Sequence, residues 1–193
     1  MKQFDAIVIG GGVLGCFAAR NLRRWNISVL LLEKAEDVCT GITRANSAIV
    51  YAGYDNKPGS LKAELTVRGN ANMATLCEEL EVPFSRCGSL LVTYDEKAVS
   101  KLERKLRNGL QSGIPGLKLL SGAEAEAMEP MLRKGVAAAL YAPSTGTVNP
   151  WQLGIAACEN AAANGAEVLL NTEVLGIREW DGGFAVETSR NTF

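Results

Sequence analysis

The sequence predicts an α/β fold organised on a βαβ unit, and three observations carry that expectation. A run of strand formers over residues 4–9 ends in three consecutive glycines, Gly10, Gly11 and Gly12. A stretch with apolar residues at helical spacing follows over 13–25, and a second apolar run, "ISVLLLE" at 27–33, comes after a minimal turn. Strand, glycine loop, helix and strand in this order predict parallel strands joined by a right-handed crossover.

Each part of the unit has a physical reason. Residues 4–9 are rich in apolar and β-branched side chains, as a buried strand is. The helix carries Val13, Phe17 and Leu22 with arginines between them. Three successive glycines cost backbone entropy, so their presence is explained if something must approach the backbone closely. Gly10, Gly12 and Gly15 fit the spacing G-x-G-x-x-G. In that pattern the first glycine allows a tight turn, the second admits a pyrophosphate, and the third lets the helix pack closely on the strand. The helix start, Val13 and Leu14, would offer N–H donors and the positive end of the helix dipole. Glu33 closes the second strand, where an acceptor would bind both hydroxyls of an adenosine ribose and disfavour a 2′-phosphate. The alternative is a glycine turn that only packs helix on sheet, with Glu33 a surface charge.

Composition narrows the chemistry. The chain has 193 residues, 47% of them hydrophobic and 21% charged, which places it among folded globular proteins and against disorder. Its net charge is −1 and no window gathers a basic stripe, so a nucleic-acid partner is not expected. The absence of histidine removes the commonest general base and metal ligand, and no metal site is expected. Five cysteines, none in a C-x-x-C pair, predict buried thiols in a reducing cytoplasm. The short apolar run at the N-terminus breaks at the glycines, unlike a signal peptide or a membrane span.

Further along, Leu61, Leu65, Met73, Leu76 and Leu80 predict one core-facing stripe on a helix over 60–81, with Gly69 allowing close packing. Val99, Leu102, Leu106 and Leu110 predict the same for a helix over 95–112. "SLLVTY" (89–94), "GVAAALYAP" (135–143) and residues 166–180 read as strands, and Asp181, Gly182 and Gly183 as a turn toward "FAVET". Ser121 with Glu124 forms a capping box, and Asn149 with Pro150 opens a helix over 151–163 that Gly165 stops.

The segment "CTGITRANSAIVYAGYDNKPGSLKAELTVRGN" (39–70) departs from an ordinary nicotinamide-binding unit. It resembles the flavin-binding region of the D-amino-acid-oxidase-type (DAO) superfamily of FAD-dependent oxidoreductases. Within that superfamily, "TRANSAIVYAGYDNKPGSLKAEL" is most similar to anaerobic-type glycerol-3-phosphate dehydrogenases and L-2-hydroxyglutarate oxidases, and the likeness continues through 87–96 and 128–174. The resemblance implies a Rossmann-like FAD-binding domain with the start of a mixed-sheet substrate domain. It implies FAD as cofactor, held by Gly10, Gly12, Gly15, Glu33 and Lys34, with Thr40, Gly41, Thr43, Asn46 and Ser47 along the pyrophosphate, ribityl chain and isoalloxazine. Tyr51 stands where many relatives carry histidine. It is the candidate catalytic residue, as a hydrogen-bond donor to substrate or flavin, and a structural tyrosine is the alternative.

The resemblance further implies hydride transfer from a small hydroxy substrate, glycerol 3-phosphate or a 2-hydroxy acid, to flavin. Amine or amino-acid oxidation by the same machinery, or a non-catalytic nucleotide-binding fragment, are the alternatives. Residues 1–80 would begin the FAD-binding domain, 81–145 would belong to the substrate domain, and 146–193 would return to the FAD-binding domain. The family's chains run on past the equivalent of Phe193, so these residues are expected to be the N-terminal part of a longer enzyme and to be inactive alone. The expected partners are a small-molecule substrate and an electron acceptor, with cytoplasmic placement or peripheral membrane association.

Overall fold

The computed structural model describes residues 2–193. In chain order the elements are β1 (Ala6–Ile9), α1 (Val13–Leu22), β2 (Val29–Leu32), β3 (Ile49–Val50), α2 (Leu61–Glu79), β4 (Phe84–Ser85), β5 (Ser89–Thr93), α3 (Val99–Gln111), β6 (Lys118–Ser121), α4 (Gly122–Met128), β7 (Ala138–Ala142), β8 (Gly146–Val148), α5 (Pro150–Ala163), β9 (Glu167–Leu169), β10 (Val174–Trp180) and β11 (Gly183–Thr188). They pack as two units. The first runs to Ser47 and resumes over Glu79–Val82 and Asn149–Phe193; the second comprises Ala48–Glu78 and Pro83–Val148. Residues 48–78, grouped by the resemblance with the N-terminus, thus pack with 83–148.

In the first unit a parallel sheet runs β1-β2-β9, with Ile9 opposite Leu32 and Leu32 opposite Leu169. The predicted βαβ unit is therefore present with parallel strands. All four residues of the central strand β2 are buried, and burying each leucine contributes about 1.5–3 kcal/mol. α1 packs along α5, and both helices bury small residues completely, Ala19 on one and Ala157 and Ala161 on the other. Small side chains allow such close approach. Asn149 accepts the Gln152 N–H at 3.1 Å and Pro150 takes the first helical position of α5, as the sequence predicts. An antiparallel hairpin, β10 with β11, closes the unit, and Val186 joins Leu30 and Leu32 in its core.

In the second unit β7 is the middle of an antiparallel sheet, β5-β7-β6, with Leu140 opposite Leu91 on one side and Leu119 on the other. Leu102 of α3 packs with Ile114, Leu117 and Leu140 beneath that sheet. A smaller sheet, β3-β8-β4, is antiparallel throughout. The capping box at Ser121 and Glu124 is formed.

Several side-chain expectations are corrected. Leu61 and Leu65 are 67% and 52% exposed; the buried face of α2 is instead Ala63, Asn70 and Cys77, seven residues apart, where small or bonded side chains permit close packing. A Cβ at Gly69 would meet nothing within 4 Å, so that glycine serves no close approach. On α3 the exposed Leu110 gives way to its neighbour Gly109, where a Cβ would stand 2.2 Å from Leu117. α1 ends at Leu22 rather than 25, because the carbonyls of Ala19, Asn21 and Leu22 accept the N–H groups of Arg23, Arg24 and Trp25 and turn the chain into β2. Cys87 is exposed, unlike the other four cysteines.

Candidate dinucleotide-binding site

The site is built where β1 ends. The Gly10 N–H donates to the Leu32 carbonyl at 2.8 Å, and Gly10 then adopts φ +101°, a conformation that favours glycine. Gly12 returns to extended backbone and forms the N-cap of α1. A Cβ at Gly15 would lie 1.9 Å from the Gly10 carbonyl oxygen, so only glycine lets the helix seat against the loop.

The first turn of a helix leaves four N–H groups without intrahelical partners. Here Thr43 Oγ1 accepts from Val13 at 3.0 Å, Gly12 supplies no side-chain cap, and the turn holds no acidic residue. The positive helix end is therefore open to an anion. A Cβ at Gly12 would stand 3.4 Å from Thr43 Oγ1, at the edge of ordinary contact. Leu14 and Ile42 flank this turn and are 84% and 87% exposed.

Gly11 is fixed on both sides. Its N–H donates to Glu33 Oε2 at 2.6 Å, and Glu33 Oε1 accepts from Ala35 at 2.8 Å. Its carbonyl accepts from the Cys39 N–H at 2.8 Å and from the Cys16 thiol at 3.3 Å. Behind the loop, Cys16, Cys39 and Cys158 form a buried thiol cluster. A hydrogen bond with Cys158 pushes the Cys16 thiol up, burial adding to it, and the same bond draws Cys158 down. Burial pushes Cys39 up.

The rest of the expected set lies around this loop or away from it. Thr43 belongs to a 3-10 turn, Ile42–Arg44, that follows exposed Gly41, and Asn46 Nδ2 donates to the Thr43 carbonyl at 2.7 Å. Thr40 lines a cavity of about 320 Å³ with Asp37, Arg44, Trp151 and Ile155. Lys34 and Ser47 are exposed. Tyr51 belongs to the second unit and is 54% exposed. Arg44 and Trp151 join the lining of the Thr40 cavity from outside the expected set: the cation inside "TGITRANS" is a usable signal in the sequence, whereas Trp151, more than a hundred residues away, offers none. Among the described residues no acidic, thiol or imidazole cluster could hold a metal, and no helix is long and apolar enough to cross a membrane.

A glycine turn, an open helix end and a carboxylate closing the second strand are the features of the dinucleotide-binding βαβ pattern. The chain belongs to the FAD-dependent oxidoreductase (DAO) family, whose sequence profile matches residues 5–193. The glycerol 3-phosphate dehydrogenase of Caloramator mitchellensis is 43% identical over 191 residues, 99% of this chain and 40% of that protein. The mitochondrial L-2-hydroxyglutarate dehydrogenase of Homo sapiens is 34% identical over 178 residues, 91% of this chain and 38% of that protein. Among solved structures, dithionite-reduced L-α-glycerophosphate oxidase from Mycoplasma pneumoniae with FAD bound superposes with a TM-score of 0.92 at 25% identity, covering 99% of this chain and 51% of the other. The chain spans about 40% of the length of these curated relatives.

Proposed function

We propose that this chain carries the nucleotide-binding face of an FAD-dependent dehydrogenase or oxidase acting on a small hydroxy substrate, glycerol 3-phosphate or a 2-hydroxy acid. The observation that carries the reading is the pairing of the open α1 N-terminus with Glu33, which the Gly11 and Ala35 N–H groups hold in place. The similarity to glycerol 3-phosphate and L-2-hydroxyglutarate dehydrogenases supports the substrate class.

In this reading the first unit belongs to the FAD-binding domain and the second to the substrate domain. The α1 start and Thr43 would hold the pyrophosphate, and Arg44 would neutralise its charge. Glu33 has lone pairs beyond its two backbone donors for the ribose hydroxyls. Thr40, Asn46 and Ser47 would line the rest of the cofactor, and Tyr51 would donate to substrate or flavin. Bound FAD would supply the hydride acceptor for the carbon bearing the substrate oxygen, with an electron acceptor in the cytoplasm or at a membrane surface as the further partner.

The test is an absorbance spectrum of the purified enzyme, recorded anaerobically before and after glycerol 3-phosphate or 2-hydroxyglutarate is added. Flavin bands that bleach with one of these substrates are the expected result. A protein that takes up no flavin when FAD is supplied would overturn the reading.

A further inference from the structure

In the second unit, α2 buries one polar side chain on an otherwise apolar face. Asn70 is 6% exposed, and a buried amide is costly unless its groups are bonded. Its Nδ2 donates to the carbonyls of Ser144 at 2.9 Å, Tyr51 at 3.0 Å and, at the longer distance of 3.3 Å, Val50. Its Oδ1 accepts from Arg86 Nη1 at 3.1 Å. Arg86 also donates to the Ser144 carbonyl at 2.6 Å and to the Asn70 carbonyl at 3.1 Å. A guanidinium has no acceptor, so Arg86 selects the oxygen of the amide and turns its NH₂ toward the carbonyls.

The network takes over where sheet pairing stops. β3 has two residues, and its ladder with β8 ends at Val50 opposite Gly146. Tyr51 is the next residue, and its carbonyl, just past the end of that ladder, accepts from Asn70. We propose that Asn70, braced by Arg86, is a positioning residue that holds the backbone at 50–51 and so aims the Tyr51 side chain. The inference rests on the reading of Tyr51 as a substrate-facing or flavin-facing donor.

The discriminating variant is Asn70→Asp, which keeps the size and the pairing with Arg86 but turns an acceptor toward three carbonyl oxygens. In the flavin-loaded enzyme, N70D should lower kcat by about 10-fold or more, with KM and flavin content little changed, because small misplacements of a reacting group are that costly. Hydrogen exchange of the backbone amides at 50–52 should quicken at the same time. In a cycle with Tyr51→Phe, the double variant should be no slower than Y51F alone. Arg86→Met, which leaves Asn70 in place, should give a smaller loss that Y51F likewise absorbs, and it serves if N70D does not fold. Losses that add in the presence of an impaired Y51F would overturn the positioning role alone. A Y51F enzyme that turns over at the wild-type rate would overturn the reading of Tyr51 and this inference with it.

Discussion

The Gly11 N–H donates to Glu33 Oε2 at 2.6 Å, and this bond ties the middle of the glycine turn to the end of β2. With Ala35 on the other oxygen, both carboxylate oxygens face backbone donors. An amide at this position would have to turn its NH₂ toward one of those N–H groups. Glu33→Gln should therefore lose nearly as much as Glu33→Ala. Charged hydrogen bonds contribute about 1.5–3 kcal/mol, so FAD should bind roughly 10- to 100-fold more weakly to either variant. Flavin fluorescence titration checks this, and an E33Q enzyme with wild-type affinity would remove Glu33 from the site.

Two helical glycines should respond oppositely to alanine. At Gly15 the added Cβ would sit 1.9 Å from the Gly10 carbonyl oxygen, and backbone cannot yield as a side chain does. Gly15→Ala should destabilise by about 1–3 kcal/mol or more, as overpacking does, and weaken FAD binding as the turn shifts. At Gly69 the Cβ meets nothing, so Gly69→Ala should stabilise α2 by up to about 1 kcal/mol through helix propensity. Chemical denaturation of the two variants measures both, and equal effects would refute the steric account.

The thiol cluster offers a third case. A Cβ at Gly154 would stand 2.2 Å from Cys39 Sγ but 3.6 Å from Cys39 Cβ, an ordinary contact. Gly154→Ala should destabilise, and Cys39→Ala should relieve much of that loss. Contacting residues couple by about 0.5–3 kcal/mol, and the double-mutant cycle should fall in that range. Strict additivity would mean that the strain at Gly154 comes from elsewhere.

How much of this could be read beforehand follows from the range of the interactions. The βαβ unit, the glycine turn, Glu33 and the caps at Ser121 and Asn149 each depend on residues close in sequence, and all were legible. The buried face of α2 was not. Leucine spacing suggested one face, but packing chose Ala63, Asn70 and Cys77, because a helix set close to its neighbours needs small or hydrogen-bonded side chains there. The two-residue strands β3 and β4 lack any period of their own and exist through pairing with β8, about sixty to a hundred residues away. Around the candidate site, the donors to the loop were visible as a pattern, whereas the contributions of Trp151 and Cys158 depend on α5 folding back beside α1.

The last prediction concerns pH. Glu126 pairs with Lys134 Nζ at 3.1 Å and accepts the N–H groups of Gly135 at 2.8 Å and Val136 at 3.2 Å. The Lys134 ammonium first, and these backbone donors after it, hold its carboxyl below the ordinary glutamate value. A folded-state pKa lower than the unfolded one means that the unfolded chain takes up the proton first as pH falls. The stabilisation is then complete at neutral pH, where both states are ionised. It diminishes once pH drops through the unfolded value, about 4.3, and is gone below the folded one. Wild type should accordingly melt at a higher temperature than Glu126→Gln at pH 7, and the two curves should converge between pH 5 and the acid limit of folding. Lys134→Met should weaken the same pH dependence, since it removes the first of these causes and leaves the backbone donors in place. A gap between wild type and E126Q that is unchanged from pH 7 to below the folded pKa would show that packing, not charge, holds this turn.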